Sequence, residues 1–272
     1  MRVIISGGGT GGHIYPAIAI AQKLQANIKD CKILYVGIKG GPEEAIAKKY
    51  GYDFKSIEGM GLPRKINKRF FKSLSTNMKG FKAARKIVKE FKPDIAIGTG
   101  GYVCGPILYR AASANVPTLV HESNSYPGVT SKFLSKKVDY ICISYPEAKK
   151  HFKYKDNIVV TGNPVRTNFK ESFSDEDLAN LGIKKDRPVV FSFGGSNGSY
   201  ALNKAVIELS KILKDEFYLL HQTGRRNYDK FMEEITDNPY IKAFSYIDNI
   251  DLYYAVSDLV IASSGAMSLA EI

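Results

Sequence analysis

The chain has 272 residues with 44% hydrophobic side chains, 24 Gly, 11 Pro and a formal net charge of +12. This composition excludes an intrinsically disordered or fibrous protein and predicts one large globular core or two of ordinary size. The three cysteines are odd in number and lack metal-ligand spacing, which excludes a disulfide framework and favours a reducing compartment. We also expect neither an ordinary signal peptide at the first residues nor a membrane-spanning helix, which needs about 18 apolar residues.

The first half of the chain predicts alternating strands and helices. A β-branched run over 2–6 is followed by a glycine loop over 7–12 and by helical apolar spacing over 14–24, which is the pattern strand, turn, helix. The same patterns predict helices over 43–49 and 81–91, and strands over 32–36, 94–98, 117–121 and 140–143. Such alternation indicates a mostly parallel sheet that is covered on both faces.

The positive charge is concentrated in one part of this half. Residues 1–162 carry a net charge of +16 and residues 163–272 carry −4, and residues 60–92 alone carry +10. Within that segment, apolar side chains recur at spacings that gather them on one side of a helix: Phe70, Phe71, Leu74, Met78 and Phe81. An apolar face among Lys and Arg suits an anionic lipid surface, but a solvated helix that packs on the core is the plainer interpretation. Nucleic acid is disfavoured because no zinc spacing or RNP-type motif is present.

A second series of elements begins after residue 163, where we predict the boundary between domains 1–163 and 164–272. We interpret Pro164 and the acidic stretch 171–177 as a connection. Strands are predicted over 188–193, 217–222, 241–244 and 258–262, with helices over 202–213 and 251–256 and a first helical turn over 268–272. A glycine loop over 194–198 follows the first of these strands, so the second domain repeats the opening of the chain.

Glycine loops before helices attract phosphate, because backbone N–H groups and the helix dipole point at the ligand. The loop over 7–12 matches G-x-G-x-x-G, which is a weak motif by itself. A dinucleotide site also needs an acid after the second strand, where this chain has Gly37-Ile38-Lys39, so NAD is disfavoured. No G-K-[ST] follows either glycine loop, which disfavours a P-loop nucleotidase.

Several polar side chains lie where chemistry is expected. His13 closes the first loop before a helix, where an imidazole could take a proton from a sugar hydroxyl, although capping or packing is the more frequent use of such a histidine. Glu122 and Asn124, with His121, follow a strand at its C-terminal end, where open α/β sheets bind ligands. Glu271 could accept from two ribose hydroxyls or simply complement a helix dipole. Two further histidines are interpreted as structural: His151 and His221.

Seven motifs stand in one order along the chain: GGTGGH at 8–13, GTGGYVCGP at 98–106, HESN at 121–124, GNPVR at 162–166, GGSNG at 194–198, YID at 246–248 and SGAMSLAE at 264–271. Together they resemble the bacterial N-acetylglucosaminyltransferases of peptidoglycan synthesis, which are membrane-associated enzymes that convert lipid I to lipid II. The resemblance covers the whole chain, and the shared order is far more specific than any single motif.

The resemblance implies an α/β fold of the GT-B class, in which two Rossmann-like doubly wound domains face a cleft and the second domain is incomplete here. It implies that UDP-GlcNAc binds mostly on the second domain. The implied donor-binding residues are Thr10, Gly11, Gly12, Asn124, Arg166, Ser196, Ile247, Ala266, Met267, Ser268, Leu269, Ala270 and Glu271. Among these, Ser196 would bind phosphate, Ile247 would contact the uracil by its backbone and Glu271 would hold the ribose.

The implied reaction is inverting: the C4 hydroxyl of lipid-linked MurNAc-pentapeptide, lipid I, attacks C1 of GlcNAc and expels UDP. His13 is our candidate for the general base. A helix dipole, hydroxyls and Arg166 would stabilise the leaving diphosphate. The resemblance implies that the reaction needs neither a divalent cation nor a cofactor.

A lipid-anchored acceptor favours membrane docking of the basic segment. The implied partners are anionic lipids of the inner leaflet, and the implied location is peripheral, on the cytoplasmic face of the cell inner membrane. We expect the docking face to contain Lys68, Arg69, Phe70, Phe71, Lys72, Leu74 and Phe81.

Members of this family continue through further βα units that carry a Gln-rich donor-binding segment and a helix returning to the first domain. We therefore expect weak or absent turnover from residues 1–272 alone. Two alternatives stay open: a non-catalytic module that binds a nucleotide sugar or acts as a membrane scaffold, and a GT-B enzyme with another UDP-sugar or acceptor.

Overall fold

A computed structural model describes residues 1–61, 67–166, 172–195 and 197–272. The chain divides into two units, residues 1–167 and residues 168–272. Among the helices formed by the described residues, none combines the length and apolar character needed to cross a membrane.

The first unit is built on a seven-stranded parallel sheet with the strand order β3-β2-β1-β4-β5-β6-β7. Its strands are β1 (Arg2–Ser6), β2 (Lys32–Gly37), β3 (Asp53–Ser56), β4 (Ile95–Gly98), β5 (Thr118–Glu122), β6 (Tyr140–Ile143) and β7 (Ile158–Val160). Its helices are α1 (Gly11–Asn27), α2 (Pro42–Lys49), α3 (Lys68–Phe91), α4 (Cys104–Ala112) and α5 (Val129–Leu134), followed by a short 3-10 helix (Pro146–His151).

Helices cover both faces of this sheet because its central strands are apolar on both sides. Alternate residues of β1 face different cores: Val3 and Ile5 pack against α1 and α2, and Ile4 packs on the side of α3 and α4. All three side chains are fully buried. A parallel strand with apolar residues at every position is typical of such a three-layer unit.

The second unit contains a four-stranded parallel sheet with the strand order β10-β9-β8-β11. Its strands are β8 (Val189–Phe193), β9 (Tyr218–Gln222), β10 (Ile241–Phe244) and β11 (Leu259–Ala262). Its helices are α6 (Asp175–Leu181), α7 (Tyr200–Ser210), α8 (Tyr228–Glu234), α9 (Ile250–Val256) and α10 (Ala266–Glu271).

The acidic stretch that the sequence assigns to a connection is partly helical, so that prediction is wrong. Ser174 caps α6 by accepting from the backbone N–H of Asp177, whose carboxylate accepts in turn from the backbone of Ser174. The three acidic residues of the first turn complement the helix dipole. Gly182 ends the helix with a φ of 65°, which glycine adopts without steric cost. The acidic run is thus a helix N-terminus.

In each sheet, the strand order reverses direction next to the strand that precedes a glycine loop. In the first unit the reversal lies between β1 and β4, and in the second unit between β8 and β11. Connections leave neighbouring strands in opposite directions at such a point, and a crevice opens at the carboxyl ends of the strands. The glycine loops therefore lie where doubly wound sheets bind ligands.

Candidate functional site

The glycine loop after β1 is fixed by hydrogen bonds from buried side chains. The Tyr35 hydroxyl donates to the Gly7 carbonyl at 2.5 Å, and Thr99 Oγ1 donates to the His13 carbonyl at 2.6 Å. Burial, and secondarily the nearby charge of Glu43, raises the pKa of Tyr35 far above its ordinary value, so its hydroxyl stays a donor. A Cβ on Gly7 would lie only 2.0 Å from Thr99 Oγ1, so only glycine allows this approach.

His13 lies in the first turn of α1 with its ring against the loop after β4. Its Nδ1 is 3.1 Å from the Gly8 carbonyl oxygen, and a carbonyl only accepts, so Nδ1 carries the proton in this contact. A Cβ on Gly100 would lie 2.6 Å from the ring carbon Cδ2 and 2.9 Å from Nε2. Gly100 has a φ of +108° and Gly101 a φ of +81°, which explains two adjacent glycines at this position.

The N-terminus of α1 is suited to an anion. Thr10 is the N-cap residue and is exposed, and Gly11 and Gly12 begin the helix without side chains. The first N–H groups of a helix have no partner within the helix, and they carry the positive end of its dipole. Their location between the β1 and β4 loops places them in the crevice of the first sheet.

Glu122 organises the loop after β5. Its Oε1 accepts from the backbone N–H of Asn124 at 3.0 Å and from Asn124 Nδ2 at 2.9 Å, and its Oε2 accepts from the Gly128 N–H at 2.9 Å. Glu122 is 4% exposed, whereas Asn124 is exposed. Glu122 therefore positions Asn124, and the Asn124 side chain is the one that solvent and ligands can reach.

His121 attaches the segment before Arg166 to the sheet. Its Nε2–H donates to the Gly162 carbonyl at 3.0 Å, and Ser144 Oγ donates to Asn163 Oδ1 at 2.6 Å. Burial lowers the pKa of His121 below its ordinary value, which keeps the ring neutral. The guanidinium of Arg166 lies 4.9 Å from the centre of the Tyr15 ring on α1. The first unit thus brings together His13, the start of α1 and Arg166.

In the second unit, Gln222 at the end of β9 connects two of the expected donor-binding segments. Its Nε2 donates to the Gly195 carbonyl at 3.0 Å, and its Oε1 accepts from the Ile247 N–H at 2.8 Å. Ile247 is 6% exposed. Because the Ile247 N–H already donates to Gln222, it is not the backbone group that would contact a ligand. Ser196 lies outside the described residues.

Helix α10 follows β11 at the same edge of the second sheet. Its N-cap is Gly265, which accepts from the Leu269 N–H, and none of its residues is buried. The expected donor-binding residues of this helix are Ala266, Met267, Ser268, Leu269, Ala270 and Glu271. The loop after β8, the residue Ile247 after β10 and α10 are therefore all at the carboxyl edge of one sheet.

The first half of helix α3 packs on the protein through small and polar residues. Ser73 is fully buried, and Asn77 pairs with both the N–H and the carbonyl of Met60, each at 3.0 Å. A Cβ on Gly80 would lie 2.1 Å from the Glu58 carbonyl oxygen, so the helix approaches this backbone closely. In the first half of α3, the inward face is therefore not the face that carries the large apolar residues.

Three large apolar side chains of α3 face solvent instead: Phe71 is 63% exposed, Leu74 47% and Met78 59%. We call these three residues the α3 apolar surface. Lys68 is exposed at the start of the helix, and the side chains of Arg69, Phe70 and Lys72 lie outside the described part of the structure. Phe81 differs from the expectation, because it is partly buried and packs edge-on against Tyr109 with ring centres 5.6 Å apart.

The two histidines interpreted as structural make contacts within their own unit. His221 is fully buried, accepts from Ser192 Oγ at 2.6 Å through Nδ1, and donates to Asn203 Oδ1 at 3.1 Å through Nε2. Burial lowers its pKa to about 4. The His151 ring packs on Tyr126 with centres 4.5 Å apart and the ring planes tilted by 57°.

Sequence reasoning missed Glu43 and Gln222. Glu43 is 1% exposed, and its carboxylate accepts from the N–H groups of Gly9 and Ile38. The available signal for Glu43 was weak: an acidic residue at the start of a helix predicts only a favourable interaction with the dipole. Gln222 ends an apolar strand at the carboxyl edge of the second sheet, a position where polar residues are often functional.

Residues 3–143 match the N-terminal domain of glycosyltransferase family 28, and residues 189–272 match its C-terminal domain. The UDP-N-acetylglucosamine–N-acetylmuramyl-(pentapeptide) pyrophosphoryl-undecaprenol N-acetylglucosamine transferase of Finegoldia magna is 48% identical over 277 residues, which cover 100% of this chain and 75% of that protein.

Among solved structures, Acinetobacter baumannii MurG is 27% identical, with a TM-score of 0.67 over 99% of this chain and 74% of that chain. The UDP-GlcNAc 2-epimerase of Methanocaldococcus jannaschii, at 14% identity and a TM-score of 0.69, shares the fold. Because two family domains and a full-length relative agree, the fold is of the GT-B class and the chain belongs to glycosyltransferase family 28.

Proposed function

We propose that this chain transfers GlcNAc from UDP-GlcNAc to the C4 hydroxyl of lipid-linked MurNAc-pentapeptide, the step from lipid I to lipid II in peptidoglycan synthesis. The observation that carries this proposal is the 48% identity, over the whole chain, to a transferase of that name. The geometry supports it, because a histidine and an anion-attracting helix N-terminus lie together in the crevice of the first sheet.

In this proposal each unit carries donor-binding groups of its own. The residues after β8, β10 and β11 bind the uridine diphosphate, with the Ile247 carbonyl accepting from the uracil and Glu271 accepting from the ribose hydroxyls. Gln222 keeps the Gly195 and Ile247 segments at a fixed separation. Asn124 and Arg166 contribute contacts to the sugar and the diphosphate.

The transfer step then follows from the groups in the first unit. The Nε2 atom of His13 takes the proton of the acceptor C4 hydroxyl as its oxygen bonds to C1 of GlcNAc. The bond from C1 to the diphosphate oxygen breaks, and UDP leaves with the electron pair. The positive end of the α1 dipole and the Arg166 guanidinium stabilise the charge on the leaving group. Attack from the opposite face inverts the configuration at C1.

A transfer assay with a lipid I analogue and labelled UDP-GlcNAc tests the function. We expect label in a lipid II analogue, and UDP-GalNAc and UDP-glucose to be much poorer donors. The assay is run on the chain alone and on a version continued with the C-terminal quarter of the Finegoldia magna relative. His13→Ala should lower turnover by about 100-fold or more and leave UDP-GlcNAc binding intact.

His151→Ala is the matched control, because His151 packs against Tyr126 and has no part in the proposed chemistry. Donor binding without transfer in both versions would refute the proposal and favour a non-catalytic module. Transfer from UDP-glucose as fast as from UDP-GlcNAc would point to another enzyme of this fold class.

We further propose that the first unit docks on anionic lipid through the α3 apolar surface. Three large apolar side chains are exposed to solvent on a segment that carries +10, and the first half of α3 packs on the protein through Ser73, Asn77 and Gly80 instead. Apolar side chains enter the acyl boundary while Lys and Arg contact headgroups. Phe81 is left out of this surface because it packs on Tyr109. The enzyme would then act at the cytoplasmic face of the inner membrane, where its acceptor is anchored.

A further inference from the structure

Glu43 is a buried carboxylate that the reaction as described above does not use. It lies in the first turn of α2, is 1% exposed, and is enclosed by glycines: a Cβ on Gly8 or on Gly41 would lie 2.6 or 2.8 Å from its oxygens. Burying a carboxylate is costly unless hydrogen bonds compensate. Here Oε1 accepts from the Ile38 N–H at 2.9 Å and Oε2 accepts from the Gly9 N–H at 3.2 Å.

The hydrogen bond to Gly9 reaches His13 through one peptide group. The N–H of Gly9 and the carbonyl of Gly8 belong to the same peptide bond, and that carbonyl is the acceptor 3.1 Å from His13 Nδ1. A negative charge on the N–H side of an amide polarises it and makes its carbonyl a better acceptor, since linked hydrogen bonds strengthen one another. Glu43 therefore strengthens the bond from His13 without touching the ring.

This bond decides which nitrogen of His13 is free. A proton on Nδ1 leaves the lone pair on Nε2, and the hydrogen bond at one ring nitrogen sets the state of the other. Gly100 keeps that nitrogen accessible, because a Cβ there would lie 2.9 Å from Nε2. Thr10 Oγ1 also approaches Nδ1, but at 3.5 Å the contact is at the limit of a hydrogen bond.

We propose that Glu43 is a positioning residue for the transfer reaction: through the Gly8–Gly9 peptide it holds His13 as the Nδ1–H tautomer, with Nε2 ready to accept the proton of the acceptor hydroxyl. The inference rests on the proposed role of His13 as general base. In this arrangement the Gly8 carbonyl connects the buried Glu43 carboxylate to the His13 ring.

The first test reads the tautomer directly in the unsubstituted chain. The chain has four histidines, so ring 15N spectra of protein labelled at histidine contain few signals, and His13→Asn identifies those of His13. At a pH where the ring is neutral we expect the Nδ1–H tautomer to predominate. A His13 ring that is mainly Nε2–H overturns the proposal without any substitution at position 43.

The second test compares Glu43→Gln with Glu44→Gln. Glutamine has the size of glutamate but only one acceptor oxygen, so it can satisfy only one of the two N–H groups and carries no charge. Glu44 is the matched control on the same helix, since it accepts from the Gly40 N–H and pairs with Lys48 at 2.7 Å. We expect Glu43→Gln to shift His13 toward Nε2–H. In the version continued with the C-terminal quarter of the Finegoldia magna relative, it should lower kcat about tenfold, a fraction of the roughly 100-fold or larger effect of a general base. The KM for UDP-GlcNAc should stay within about twofold.

Glu43→Asp keeps the negative charge. Its fraction of the Nδ1–H tautomer and its kcat should therefore lie between those of the unsubstituted protein and those of Glu43→Gln. If Glu43→Gln alters stability and KM but neither the tautomer nor kcat, Glu43 only packs the loop and the proposal is wrong. Failure of the proposed function gives a different result. The version continued with the C-terminal quarter of the Finegoldia magna relative then shows no transfer, whereas NMR still reads the His13 tautomer.

Discussion

Replacing the α3 apolar surface with serines, as Phe71→Ser, Leu74→Ser and Met78→Ser together, should weaken binding to anionic vesicles. Full burial of such a side chain stabilises by about 1.5–3 kcal/mol. About half of each of the three is exposed in the structure, so insertion into lipid contributes about 1 kcal/mol per residue. The sum of about 3 kcal/mol corresponds to a loss of about 100-fold in the binding constant.

Sedimentation with vesicles of phosphatidylglycerol and phosphatidylcholine measures this loss. Added salt should weaken binding of the unsubstituted chain as well, because each Lys or Arg near the headgroups contributes about 1 kcal/mol and salt screens that attraction. Ile212→Ser is the matched control: Ile212 is 73% exposed but lies in the second unit, outside the basic segment.

The reasoning is refuted if the triple serine variant binds vesicles as tightly as the unsubstituted chain, or if Ile212→Ser lowers binding as much. Circular dichroism of the triple variant should match that of the unsubstituted chain, because the three side chains face solvent.

Three further results are expected. Gly101→Ala should lower stability by about 2 kcal/mol and the melting temperature by about 5 °C, because the residue has a φ of +81° and its Cβ would lie 2.4 Å from the Gly8 carbonyl oxygen. Gln222→Ala should weaken UDP-GlcNAc binding about tenfold in calorimetry, because two hydrogen bonds between donor-binding segments are lost. The His221 pKa of about 4 lies below the ordinary value of 6.5, so its contribution of about 3 kcal/mol is present above pH 6.5 and is lost as the pH falls toward 4. Urea unfolding across that range should show a smaller loss for His221→Asn than for the unsubstituted chain.

The hydrophobic pattern was enough to predict most of the fold. All nine predicted strands agree with observed strands within one residue at each end, including Tyr140–Ile143 and Ile241–Phe244, where both ends agree. The edge strands β3 and β7 were missed, because they are only four and three residues long and most of their residues are exposed. Helix α6 was missed because its acidic first turn has the composition of a loop, although a capping serine precedes it.

In the candidate site too, the residues that the sequence predicted depend on local sequence, and the residues that it missed depend on tertiary contacts. The glycine loop, His13 and the residues after the strands follow from motifs, because each depends on a few neighbouring residues. Glu43 and Gln222 act through hydrogen bonds to segments 34 and 25 residues away along the chain. The outward direction of Phe71 and the inward direction of Phe81 likewise depend on where α3 meets its neighbours, which periodicity does not specify.

The transfer assay with His13→Ala, read together with UDP-GlcNAc binding, tests the central claim most directly. We expect the sequence continued with the C-terminal quarter of the Finegoldia magna relative to form the lipid II analogue. In that continued version, His13→Ala should bind UDP-GlcNAc with unchanged affinity, and its turnover should fall by about 100-fold or more. Turnover by His13→Ala within a few-fold of the unsubstituted rate would contradict the assignment of the base. Absence of any GlcNAc transfer to lipid I by the continued version would contradict the function itself.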